Sequence, residues 1–211
     1  GSEMKPRVLI SIPNEGWVHK HCVFALSGIM TDKRFEKKLI LPTHRPYENN
    51  LNQIVKQFLD EEHDFWLTFD SDNPPRRNPL DLVLLNLDIV GCPTPVWANM
   101  KKGDYPIYYN ALDEVEDGWK PHRPMDGLQE VDAIGSGCML IARRVLLTLK
   151  KPFMREWDED GIVQRGHDYL FCKKAKEKGF KIYAHYDFSC FHFNEIELGE
   201  VSQAFHEVKN G

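Results

Sequence analysis

Two aspartates one residue apart, Asp70 and Asp72, follow the apolar run FWLTF at residues 65–69. Carboxylates this close repel, and both stay ionised at neutral pH only with a cation or strong donors between them. Hard oxygen ligands suit Mg²⁺ or Mn²⁺; a solvated acidic turn is the alternative. D-x-D is common by itself, and position favours metal: the carboxyl end of a buried strand is where open α/β sheets bind ligands. Other letters carry less. His19 and His21, next to Cys22, stand two apart on an expected helix and so point in different directions. Trp97, Tyr105, Tyr108 and Tyr109 fall in an irregular segment, where stacking on a sugar or base competes with a place in the core. Neither a Walker loop nor G-x-G-x-x-G is present, which removes the simplest ATPase and dehydrogenase readings.

The elements that must position these residues follow from periodicity. Residues 7–12 (RVLISI), 38–41, 65–69 and 89–92 read as strands. Helices are expected at 19–30, at 49–59, where Leu51, Ile54, Val55, Phe58 and Leu59 recur at helical spacing, and at 80–87, opened by Asn78-Pro79. Strand and helix thus alternate through residue 92, the pattern of a mostly parallel sheet covered on both faces. Residues 93–129 are rich in Pro, Gly, Asp and aromatics, with short strands expected at 96–100 and 106–110 and loops over a site. Order resumes at 131–134 and 138–142. Helices follow at 143–149 and 167–178, the latter stopped by Gly179, then strands at 181–184 and 189–193.

With 211 residues and 42% hydrophobic content, one compact domain is expected. Residues 1–3 read as a cloning remnant, 4–195 as the domain and 196–211 as a tail or weak helix. A net charge of -5 argues against a protein built mainly to grip phosphate backbones. The five cysteines are scattered singly, which suggests neither a disulfide framework nor a zinc knuckle. No apolar stretch reaches the roughly 18 residues of a membrane span, so the expected location is the cytoplasm.

Taken in order, ISIPN, FDSDN, VDAIGSGCMLIARRVL, GHDYLFCKKAKEKGFKIYAH and FHF resemble the nucleotide-sugar glycosyltransferases of the GT-A fold, particularly the family 2 type, over residues 7–193. The implied fold is α/β, a single-domain, Rossmann-like GT-A sheet, mixed but mostly parallel. By the resemblance, Asp72 holds the metal, Asp70 the metal or the donor, Ser71 the donor, and His192 supplies a third ligand. Pro13 and Asn14 contact the nucleoside. Asp168, the last carboxylate of the family's Glu-Asp pair, is the base on the acceptor hydroxyl; a simple helix-capping Asp is the alternative. The chain departs from the pattern at His167, where relatives carry Glu, and at Leu51-Asn52, where Arg-Asn is usual. His167 is therefore a candidate for proton transfer or acceptor contact, Asn52 for the nucleotide, and Arg45, Arg76 or Arg77 for the diphosphate. Gly135, Ser136 and Gly137, with Trp97, would form the sugar or acceptor pocket. Phosphatases of the haloacid dehalogenase type also place D-x-D after a strand. Their motif continues with Thr or Val and follows the first strand, unlike FDSDNP here.

These readings imply a metal-dependent transfer from a nucleoside diphosphate sugar, a UDP-sugar above all, to a hydroxyl with inversion. The cofactor is Mn²⁺ or Mg²⁺, and the acceptor a glycan, protein, small molecule or hydroxymethylated DNA base, the last in keeping with a bacteriophage or microbial source. The rival readings are a retaining enzyme of the same fold, a sugar nucleotidyltransferase, and a non-catalytic nucleotide- or glycan-binding module.

Overall fold

A computed structural model describes residues 4–43, 47–97, 107–194 and 198–210. Along the chain run β1 (Arg7–Ser11), α1 (Lys20–Met30), β2 (Glu36–Ile40), α2 (Tyr47–Asp60), β3 (Phe65–Phe69), a 3₁₀ helix (Pro79–Leu85) and β4 (Ile89–Gly91). Then come β5 (Pro95–Trp97), β6 (Ile107–Tyr109), β7 (Ala111–Val115), β8 (Gly118–Pro121), β9 (Leu128–Val131), β10 (Ala133–Ile134) and β11 (Cys138–Ala142). The chain continues through α3 (Arg143–Thr148), β12 (Glu156–Trp157), β13 (Val163–Arg165), α4 (His167–Glu177), β14 (Ile182–His185) and α5 (Leu198–Asn210).

The main sheet has seven strands in the order β2-β1-β3-β11-β4-β14-β9. β11 and β9 run against the other five. Period-2 alternation divides the core between its faces. Leu9, Trp66, Ile89 and Ile141 pack with Ile54 and Phe58 of α2 and Phe171 of α4. Val8, Ile10, Leu67, Phe69, Val90 and Leu140 pack on the other face with Ile29 of α1 and Leu80 and Leu82 of the 3₁₀ helix. The continuous apolar runs of β1 and β3 follow from this double burial.

The capping signals act as the sequence implies. Asn78 Oδ1 accepts from the Leu80 N–H at 3.1 Å and Pro79 takes the first helical position, but the segment is a 3₁₀ helix rather than the expected α-helix. It ends at Asn86 in a left-handed conformation, and Asn78 Nδ2 also donates to Asp32 Oδ2 at 3.0 Å. Arg34 binds Asp32 at 2.7 Å and Asp81 at 2.6 Å, so the loop before β2 holds this helix by its side chains.

Two expectations change. The run at 131–134 is not one strand: β9 ends at Val131 in the main sheet, and β10 joins a separate three-stranded sheet with β7 and β8. Residues 189–193 do not form a strand. They run beside 74–75, with the Phe191 N–H donating to Pro74 O at 3.0 Å and a lone antiparallel bridge between Pro75 and Cys190. Pro74 and Pro75 have no N–H to return, which prevents a continuous ladder. The segment at 196–211, expected as a tail or weak helix, contains the helix α5.

Candidate active site

The turn after β3 is fixed by backbone bonds on every side. Asp70 N–H donates to Gly137 O at 2.9 Å, and Asn73 N–H closes the turn onto Asp70 O at 3.0 Å. His19 N–H reaches Ser71 O at 3.0 Å and Phe193 N–H reaches Asp72 O at 2.9 Å. Cys22 Sγ donates to Ser71 O at 3.2 Å. Burial, then the charges of Asp72 and Asp70, push that thiol up to about 12, so it stays protonated as a donor.

This turn opens onto a cavity of about 390 Å³. Asp70 and Asp72 line it together with the Gly135-Ser136-Gly137 turn, His167 and Asp168 at the start of α4, and His192. Side chains more than a hundred residues apart thus meet in one cleft.

His192 is oriented by its surroundings. Its Nδ1 lies 2.6 Å from Pro95 O. A carbonyl only accepts, so Nδ1 carries the proton, and it is Nε2 that offers a lone pair to a metal. That lone pair faces Asp72 Oδ2 at 3.7 Å. Two acceptors directed at one point suit a shared cation, and a backbone carbonyl behind the imidazole is the usual support for a ligating histidine. Octahedral Mg²⁺ with bonds near 2.0–2.1 Å sets adjacent ligand atoms roughly 3 Å apart, so a small closure would seat it. The donor set, carboxylates with one imidazole, suits Mn²⁺ as well. Asp72 and His192 therefore suit a hard divalent ion, with Asp70 beside them in the lining of the cleft.

His167 stands between two groups, with Nε2 3.4 Å from Ser136 Oγ and Nδ1 3.6 Å from Glu48 Oε1. Glu48 also binds Arg155, whose side chain reaches the cleft. Partial burial pushes Glu48 up, but its own backbone N–H and Arg155 outweigh this and hold the carboxyl below its ordinary value. Asp168 Oδ1 accepts the Tyr169 N–H at 2.9 Å, so it serves the first turn of α4 while facing the cavity. Tyr169 stacks on Trp119 of the β7–β8 hairpin at 5.6 Å, which braces that end of α4.

The glycines beside Ser136 are close approaches between elements. A Cβ on Gly135 would lie 2.4 Å from Asn110 Nδ2, and one on Gly137 2.8 Å from Asn73 Oδ1 and 3.0 Å from Thr94 Oγ1. Asn110 Oδ1 in turn accepts the Thr94 N–H at 2.9 Å, joining the β5–β6 ribbon to this turn.

Other expected residues lie elsewhere. Pro13 is buried, and Asn14 lines a separate cavity of about 580 Å³ at the carboxyl ends of β1 and β2, with Gly16, Leu41 and Thr43. Asn52 does not face the cleft; its amide donates to Phe153 O at 2.9 Å and accepts the Phe153 N–H at 3.2 Å. Arg76 and Arg77 lie over the rings of Phe191 and Phe188, at 3.7 and 4.8 Å. His19 caps α1 by accepting the His21 N–H, and its ring stacks on Phe193 at 3.7 Å. Arg45 and the Trp97 side chain lie outside the described residues. The sequence reading missed Arg155, Asn110 and Thr94, which sit in loops or short strands without periodicity; the Asn and Thr contacts follow only from the sheet register.

No family model matches the chain, and no curated protein matches it. Among solved structures it is similar to A197 from STIV, 20% identical over 90% of this chain and 86% of that one, with a TM-score of 0.61. It is also similar to CMP:2-keto-3-deoxy-manno-octonic acid synthetase complexed with CTP, 9% identical over 99% of this chain and 100% of that one, with a TM-score of 0.50. The fold is a GT-A-type, Rossmann-like α/β fold. In this GT-A architecture the cleft sits beyond the carboxyl end of β3, flanked by the reversed strand β11, the position where open α/β sheets bind ligands.

Proposed function

We propose that the protein is a metal-dependent glycosyltransferase that moves a sugar from a nucleoside diphosphate sugar, with UDP as the nucleotide, to an acceptor hydroxyl. The convergence of Asp70, Asp72 and His192 with Asp168 and His167 on one cleft carries this reading. A hard divalent ion held by the first three would neutralise the departing diphosphate. The chain's own groups supply the rest. Asp168 takes the acceptor proton as the hydroxyl attacks the anomeric carbon from the face opposite the leaving nucleotide. His167, held between Ser136 and Glu48, orients the acceptor. Arg155 adds positive charge beside the leaving group, the role first considered for Arg45, Arg76 and Arg77. The cavity at Asn14 and Gly16 receives the nucleoside. The acceptor is a glycan, protein, small molecule or modified base.

A sugar nucleotidyltransferase is the second reading, favoured by the synthetase that shares the fold. Product analysis separates the two. Incubation with UDP- and GDP-sugars and Mn²⁺ is expected to release nucleoside diphosphate, with the product anomer inverted. Pyrophosphate released from a nucleoside triphosphate and a sugar phosphate would overturn the first reading in favour of the second, and a retained anomer would remove Asp168 as the base.

A further inference from the structure

Cys92, Cys138 and Cys190 come from three distant segments, yet their Sγ atoms all lie within 4.8 Å of one another. Each is almost fully buried. Cys92 follows β4, Cys138 opens β11 and Cys190 forms the bridge to Pro75. Backbone bonds draw the segments together: Cys92 N–H donates to Cys138 O at 2.9 Å and Cys190 N–H to Pro93 O at 2.9 Å. Each cysteine stands one or two residues from a side of the cleft, at Thr94, Gly137 and His192.

The spacing suits a shared ion better than a disulfide. Zinc–sulfur bonds near 2.3 Å place thiolates of one tetrahedral site roughly 3.8 Å apart, a spacing compatible with three sulfurs that all lie within 4.8 Å of one another. A disulfide needs two sulfurs near 2.0 Å and leaves the third unused. Nitrogen groups lie close by. Arg76, over the Phe191 ring at 3.7 Å, acts electrostatically on Cys190, and His185 acts likewise on Cys92. The buried Nδ1 of His185 has no hydrogen-bond partner among the described residues.

We infer that Cys92, Cys138 and Cys190 bind one thiophilic divalent ion of the zinc class, a structural site beneath the catalytic cleft and distinct from the hard-ion site at Asp70 and Asp72. Binding converts three thiols to thiolates and releases their protons to solvent, with no oxidant required. The ion joins the strand ends that carry Thr94, Gly137 and His192, so it rigidifies the floor of the cleft. The inference does not depend on the glycosyltransferase reading.

Reduced, metal-free protein is titrated with Co²⁺ in excess Mg²⁺, which occupies oxygen sites and gives no sulfur-to-metal charge transfer. The expected result is a near-ultraviolet charge-transfer band that saturates at one equivalent and is bleached by one equivalent of Zn²⁺. Affinity should fall at least tenfold in the C92S/C190S double variant and persist in C172A and in D72A. Absence of the band from the wild-type protein would overturn the inference whether or not the double variant folds. So would a band unchanged in a folded double variant, or mass spectrometry of unreduced protein showing two of the three cysteines joined.

Discussion

At the scale of single residues, the informative contact is between His192 and Asp72. Nε2 of His192 and Oδ2 of Asp72 face each other at 3.7 Å because Pro95 O fixes the imidazole tautomer from behind. The place of the aspartate pair was legible in the sequence, since the apolar run FWLTF marks the strand that it ends. His192 was assigned only by resemblance, because nothing in CFHFN shows which way a ring nitrogen points. Gly137 gives a sharp test. A methyl group there would meet Asn73 and Thr94 at 3.0 Å or less, so G137A is expected to lower stability by about 1–3 kcal/mol, the cost of overpacking. Thermal melting checks this, and an unchanged Tm would show that Asn73 moves aside. The two candidate proton acceptors separate by kinetics. D168N should lower kcat by about 10²–10⁴-fold, the usual worth of a general base, whereas H167Q should act more on the acceptor KM. The reverse ranking would make His167 the base.

At the scale of elements, β1, β3 and β4 were readable because both faces of the sheet are buried there, which leaves apolar runs, whereas β2 is a partly exposed edge strand. The 3₁₀ helix was readable in place but not in type. Its N-cap is the same as that of an α-helix, and its form is decided by Asn86 and by the Asp32–Arg34–Asp81 contacts, which join distant residues. The 190s segment misled for a similar reason: Phe191 and Phe193 have strand chemistry, but their neighbours across the gap are prolines. Asn52 shows the same limit. Helical periodicity located it on α2, yet only the fold reveals that its amide clamps Phe153, which stacks on Phe171 at 4.8 Å. N52A is expected to destabilise by about 1–3 kcal/mol, the cost of leaving the buried backbone partners unsatisfied. Urea unfolding measures it. A loss of nucleotide affinity with no loss of stability would instead place Asn52 at the donor.

At the scale of the whole molecule, the net charge of -5 rests on carboxylates that the fold holds ionised. Arg34 bonding, against some burial, keeps Asp32 far below its ordinary value, and Lys38 bonding lowers Glu61 to about 2. In Asp132, as in Glu48, burial acts upward and is outweighed, here by Lys176 and the Glu114 N–H. Each folded value lies below the unfolded one, so the stabilisation is present above about pH 4 and is lost as pH falls through the folded values. Urea midpoints should therefore be flat near neutrality and drop steeply below about pH 4, less steeply in D32N. A midpoint that rose on acidification would contradict this.

The proposed activity requires that β3, the 190s segment and the start of α4 build one metal-and-diphosphate site. Electron paramagnetic resonance of Mn²⁺ tests it directly. The wild-type protein should bind one Mn²⁺, with UDP tightening the binding, and D72A and H192A should each weaken it by at least tenfold. Mn²⁺ binding that is equal in all three proteins, or indifferent to UDP, would contradict the account.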